Sequence, residues 1–121
     1  LVFDKPAGHT GDWLLNLGKV GVTADVKING ESLGSLTGPV FSIRIPAAKL
    51  LDRNKLEVTV ANLMANRIAW MDRNDKPWKI FYNTNMPARK KENVKNNIFY
   101  AGDWAPLPSG LMGPVTLTPL K

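Results

Sequence analysis

The sequence predicts an all-β sandwich or barrel. Three observations lead there. Apolar residues recur with period two in five separate stretches, turn signals divide those stretches, and no apolar pattern is long enough for an extended helix. With 121 residues, 44% of them hydrophobic and 21% charged, the chain has the size and composition of one globular domain with one core.

The elements follow in order. Leu1 to Pro6 reads like the end of a strand, so the chain is expected to be a domain cut from a longer protein, with its N-terminal strand incomplete. Trp13, Leu15 and Leu17 alternate with Leu14 and Asn16 and stop at Gly18. In GVTADVKIN, Val22, Ala24, Val26 and Ile28 alternate with Thr23, Asp25, Lys27 and Asn29, which gives one buried and one wet face. Asn29-Gly30 follows at once. Both residues tolerate positive φ and favour a tight hairpin turn, with Ser32 to Leu36 as the returning strand. Phe41, Ile43 and Ile45 make the next strand, closed by Pro46, and AAKLL allows one helical turn at most. Leu56, Val58 and Val60 alternate with Glu57 and Thr59. Met64, Ile68 and Met71, spaced by four and three, suit a short helix, of no more than about three turns, or an irregular excursion. Residues 83–97, with Pro87 and five asparagines, read as a long loop. Val115 and Leu117 alternate with Thr116 and Thr118 in a closing strand. The expected inward set is Val22, Ala24, Val26, Ile28, Phe41, Ile43, Ile45, Leu56, Val58, Val60, Val115 and Leu117.

The absence of cysteine removes disulfide scaffolds, cysteine zinc sites and thiol catalysis together. A single histidine, His9, sits in a Gly-rich segment. It reads as a loop residue, leaves no histidine metal cluster and gives a serine nucleophile no credible base. Neither GxxxxGK[ST] nor GxGxxG occurs, so no cofactor is implied. DRNDKP departs from a calcium loop at Lys76 and Pro77, although sandwich loops can donate carbonyls to a structural calcium. No apolar run approaches the roughly 18 residues of a membrane span, and no membrane partner is expected. No basic-then-apolar leader opens the chain, so a signal peptide is expected to be absent or removed.

The net charge of +6 is concentrated between positions 67 and 95. Arg67, Arg73, Lys76, Lys79, Arg89, Lys90, Lys91 and Lys95 stand there against Asp72, Asp75 and Glu92. A basic patch attracts phosphate backbones or acidic sugars. The run RKKENVKNN carries no interleaved aromatic, so a nucleic-acid partner is not expected, and a solvated loop explains it as well. A glycosidase needs two carboxylates, one kept protonated. Asp72 and Asp75 lie among cations that would lower their pKa values, so no catalytic pair is expected.

Seven of the ten aromatics fall in the second half: Trp70, Trp78, Phe81, Tyr82, Phe99, Tyr100 and Trp104. Sugar rings lie flat on indole and phenol rings, while their hydroxyls take amide, carboxylate and guanidinium partners. The candidate carbohydrate platforms are Trp70, Trp78, Tyr82, Tyr100 and Trp104. The candidate polar partners are Asn66, Arg67, Asp72 and Asp103. The competing reading is that such aromatics are core and loop anchors.

Three stretches together resemble a known family. LLNLGKVGVTADVKINGESLGSLTGPVFSIRI has a strand ending LGxV, an A-x-V-x-x-N-G hairpin, then LG and a Pro-aromatic strand. NKLEVTVANLMANRI follows as N-x-L-x-V-x-V-x-N-x-x-x-N-R, and PSGLMGPVTL resembles a closing S-G-[ILV]-x-x-P-V-x-L strand. The pattern is similar to the galactose-binding-like jelly-roll domain of glycoside hydrolases, nearest to the C-terminal sandwich of family 106 α-L-rhamnosidases. It is more loosely similar to the sugar-binding domain of family 2 β-galactosidases and β-glucuronidases. The likeness covers roughly residues 12–68 and 103–120.

The resemblance implies an antiparallel jelly-roll β-sandwich over 1–121 with a loop-rich insert near 69–104. It implies an accessory domain without catalytic residues, whose parent hydrolase acts on plant-type or host polysaccharides. Its partners would be the parent chain's catalytic domain and an oligosaccharide, and its location secreted or periplasmic in a bacterium. Asn62, Asn66 and Arg67 would tie down backbone carbonyls where the chain leaves the sheet, and Gly110 and Gly113 would bend it before the last strand. An autonomous carbohydrate-binding module and a basic nucleic-acid-binding barrel are the alternatives.

Overall fold

In the computed structural model, which describes residues 1–80 and 90–121, the chain forms two units, residues 1–61 with 109–121, and residues 62–108. The strands of the first stretch are β1 (Val2–Asp4), β2 (Trp13–Asn16), β3 (Lys19–Val20), β4 (Thr23–Ile28), β5 (Glu31–Thr37), β6 (Ser42–Ile45) and β7 (Arg53–Val60). Helix α1 (Met64–Arg73) follows, then the short strands β8 (Val94–Lys95) and β9 (Ile98–Phe99), and finally β10 (Leu111–Gly113) and β11 (Thr116–Pro119).

The first unit is mostly antiparallel sheet. One sheet runs β1-β7-β4-β5, a second runs β11-β2-β6, and β10 pairs with β3. Asn29 (φ 52°) and Gly30 (φ 85°) make the two-residue turn between β4 and β5. That turn is also held from the side. Asn29 donates from Nδ2 to the Lys49 carbonyl and to Asn54 Oδ1, both at 3.0 Å, and accepts the Lys55 N–H at 2.8 Å. Asn54 is buried, and its amide closes on the Leu51 backbone in both directions. Every buried polar atom of that amide therefore has a partner, as burial requires.

Inward residues of both sheets meet in one cluster that includes Trp13, Leu15, Leu17, Ala24, Val26, Ile28, Ile45 and Leu56. Ile43, Val58, Val60 and Leu117 are half-buried against it. This is the sandwich-like core that the period-two pattern predicts.

Two residues of the expected inward set face solvent instead. Val22 is 36% exposed and Val115 38% exposed. Each precedes its strand by one residue, since β4 begins at Thr23 and β11 at Thr116. Alternation fixes the facing of a side chain only where the backbone is paired.

Glycines set the close approach near the second sheet. Gly18 has φ +65°, and a Cβ there would lie 2.5 Å from the Gly113 carbonyl carbon. The bend before the last strand uses Gly110 (φ 92°) and Gly113 (φ 66°). AAKLL forms one 3₁₀ turn, Ala47–Lys49. His9 packs edge-on to Trp13, with ring centroids 5.1 Å apart, and donates from Nε2 to the Asp12 carbonyl at 3.0 Å.

Candidate functional site

The 62–108 unit holds most of the candidate residues. Its helix forms from good helix formers (Met, Ala, Arg), starts after an extended Leu63 and ends at Asn74, beyond which Asp75 turns left-handed at φ 49°. The spacing of Met64, Ile68 and Met71 finds the helix, but not its inward face. Met64 is exposed, and the inward residues are Ile68, Ala69 and Asp72.

Asp72 is the hub of this unit. Its Oδ1 accepts from Trp78 Nε1 at 2.7 Å and from Lys79 Nζ at 2.5 Å, and its Oδ2 accepts the Ala101 N–H at 2.7 Å. Burial pushes the carboxyl up, but the Ala101 N–H, Lys79 and Trp78 together outweigh it and hold the group below the usual carboxylate range. That environment favours the ionised carboxylate, the opposite of what a general acid needs. Asp72 is therefore corrected from a sugar partner to an internal anchor.

A second anchor is Arg73. Its Nε donates to the Gly102 carbonyl at 2.6 Å and its Nη2 to the Trp104 carbonyl at 2.7 Å. The sequence assigns this tying of carbonyls to Arg67, which is exposed. Asn66 does the job predicted of it. It donates to the Leu107 carbonyl at 2.8 Å and accepts the Leu107 N–H at 2.9 Å, so it too is occupied internally and not offered to a sugar.

The expected long loop over 83–97 is corrected at its described end. Residues 91–93 make a 3₁₀ turn, and β8 and β9 form a hairpin whose turn is Asn96 (φ 53°) and Asn97 (φ 60°). Asparagine tolerates the left-handed region, so Asn-Asn closes a two-residue turn much as Asn-Gly does. Asn93 is buried beneath it, its carbonyl accepting the Tyr100 N–H at 2.8 Å and its Oδ1 accepting Trp104 Nε1 at 2.9 Å.

The aromatics divide. Trp78 and Trp104 both pack edge-on against buried Phe99, at 6.2 and 5.8 Å between centroids, and both use their indole N–H inside the unit. They are anchors with partly exposed edges. Tyr100 is half-buried, its ring set over Gly102 with Lys95 Nζ 4.7 Å from the ring centroid. Trp70 is 53% exposed. It shares a helix stripe with Met64, Arg67 and Asn74, and Asn74 donates from Nδ2 to the Trp70 carbonyl at 2.8 Å. Asp103 is exposed, and Tyr82 lies outside the described residues.

Of the nine candidates, the structure thus puts Trp70 and Arg67 together on one exposed helix face. It puts Trp78, Trp104 and Asp72 into the interior scaffold. Sequence reasoning misses the Arg73, Lys79 and Asn93 anchors and the Lys95–Tyr100 pair. A usable signal exists only for Asn93, an asparagine flanked by a basic run and a two-asparagine turn. Among the described residues no group of three or more histidine or acidic side chains is placed to hold a metal ion. No described helix is long and apolar enough to cross a membrane.

This β-rich, sandwich-like architecture has a counterpart in a solved structure. The rhamnosidase from Novosphingobium sp. PP1Y matches across 97% of this chain with a TM-score of 0.64 and 27% sequence identity. The chain spans 10% of that protein's length, so it resembles one part of a much larger enzyme. No protein-family model matches the chain, and no curated protein matches it.

Proposed function

We propose that this chain is a non-catalytic accessory domain of a larger glycoside hydrolase, of the galactose-binding-like jelly-roll kind. Its partner is the catalytic domain of the parent chain, and the parent is α-L-rhamnosidase-like, secreted or periplasmic. The observation that carries this reading is the likeness across nearly the whole chain to a tenth of a rhamnosidase. The Asp72 environment supports it, because that carboxylate is committed to three donors. Oligosaccharide contact in this reading comes from the 62–108 unit, through Trp70, Arg67 and Tyr100. The solvent faces of β4 and β7 carry Asp25, Lys27 and Thr59, which give a sugar no flat apolar platform.

The purified chain is expected to leave aryl α-L-rhamnosides and aryl β-galactosides intact. Hydrolysis that disappears in Asp103→Asn, with an unchanged circular dichroism spectrum, would overturn the assignment. One observation favours an autonomous carbohydrate-binding module as a second reading, namely the exposure of Trp70 beside Arg67. The two readings part on whether oligosaccharide binding by the isolated chain equals that of the whole parent protein, since a module keeps its affinity alone and an accessory domain loses most of it.

A further inference from the structure

We propose that the face formed by residues 90–100 takes an anionic oligosaccharide, one bearing carboxylate or sulfate groups, with Tyr100 as platform and Lys95, Lys91 and Lys90 meeting the charges. This rests on the reading that the 62–108 unit contacts sugar, and it narrows that reading to a ligand class and a face.

The charge on this face is predominantly positive. Within residues 90–100, Lys90, Lys91 and Lys95 are exposed and stand against Glu92. Asp72 is consumed inside the unit by Trp78, Lys79 and Ala101 and adds no acceptor to the surface. A neutral sugar is recognised by mixed donors and acceptors, whereas a donor-rich face is matched by an acceptor-rich ligand.

The platform is prebuilt. Tyr100 is fixed through its N–H to the Asn93 carbonyl, and Asn93 is fixed in turn by Trp104. The Tyr100 ring fills the space above Gly102, where a Cβ would come within 2.2 Å of the phenol oxygen. A ring already held in place loses little freedom when a ligand settles on it.

Lys95 makes the ligand's charge matter. Its ammonium rests on the Tyr100 ring, and an exposed cation–π contact is weak beside a charge-assisted hydrogen bond to a carboxylate. An anionic sugar draws Lys95 from the ring to its own charge, and the same movement uncovers the ring. A neutral sugar has to displace Lys95 without compensation. A nucleic-acid strand fits less well, since it asks for successive aromatic platforms and this face presents one.

The test uses the full chain, with hexagalacturonate and its fully methyl-esterified form as probes, titrated by calorimetry. The acid form is expected to bind more tightly than the ester and to weaken with added salt. Lys95→Gln should weaken the acid form by about fivefold, the upper range for one exposed ion pair, and leave the ester unchanged or tighter. Equal binding of acid and ester overturns the proposal, as does a Lys95→Gln variant that binds the acid form like the parent. Tighter binding of a single-stranded oligonucleotide overturns it in favour of nucleic acid. If acid and ester bind equally and Trp70→Ala abolishes both, sugar contact stands and the anionic face falls. If neither probe binds, both fall.

Discussion

The buried cluster of residues 1–61 and 109–121 consists of eleven apolar side chains. In residues 62–108 the buried hydrophobic cluster is Phe99 and Ala101, with Ala69 on the helix, and Asp72 and Asn93 are buried among them. The sandwich is held by area removed from water, at about 25 cal/mol per Å². Among its described residues, the other unit packs Ile68, Trp78 and Trp104 on its small cluster and is further organised by polar side chains that bond backbone: Asp72 to Ala101, Arg73 to Gly102 and Trp104, Asn66 to Leu107. The difference teaches where binding groups can stand. The wet faces of β4 and β7 keep small or charged residues such as Asp25, Lys27 and Thr59, whereas a unit tied through its backbone can leave Trp70 and Lys95 in solvent.

The largest expected effect in the 62–108 unit comes from removing the hub. Asp72→Ala leaves the half-buried Lys79 and the buried Ala101 N–H without their anion and should destabilise the 62–108 unit by about 3 kcal/mol. Amide exchange at Ala101 reads this directly, and protection equal to the parent's would show that the hub is not needed. In the sandwich, Leu17→Ala should cost about 2–5 kcal/mol in urea unfolding, because Leu17 is fully buried in the apolar cluster.

Acid acts on the 62–108 unit through Asp72. Asp72 is depressed in the folded state, so its contribution is complete above the ordinary carboxylate range and is lost as the pH falls through its folded value, from about pH 4 downward. Asp72→Asn should flatten the acid loss of Trp78 fluorescence, while an unchanged acid profile would count against the ionised hub. Next in size is Asn66→Ala, which removes two bonds to Leu107 and should cost about 1–2 kcal/mol in thermal unfolding. The smallest stability effect belongs to Trp70→Ala, within about 0.5 kcal/mol because it is a surface change. Oligosaccharide binding should nevertheless fall in that variant.

The sandwich is the more legible unit for the same physical reason. A strand with one wet face writes its burial as period two, so Ala24, Val26, Ile28, Ile45 and Leu56 could be placed from the sequence, and Asn29-Gly30 announced its own turn. The misplaced Val22 and Val115 mark where pairing stops. In the 62–108 unit the deciding contacts join residues such as Asp72 and Ala101 or Arg73 and Gly102, 29 positions apart, and carry no period. Arg67 and Arg73 are chemically identical. Only the helix phase tells which one reaches a carbonyl, and that phase is misread when exposed Met64 is taken as part of the apolar stripe.

Sugar contact is proposed to belong to the 62–108 unit and not to the sandwich faces. The four tryptophans report on it directly, since Trp13 lies in the sandwich core while Trp70, Trp78 and Trp104 lie in the other unit. In a ¹⁵N–¹H spectrum titrated with hexagalacturonate, the Trp70 indole and the amides of residues 90–100 should move while the Trp13 indole and the β4 and β7 amides stay. Shifts confined to the sandwich strands, with Trp70 and Tyr100 unmoved, would contradict it.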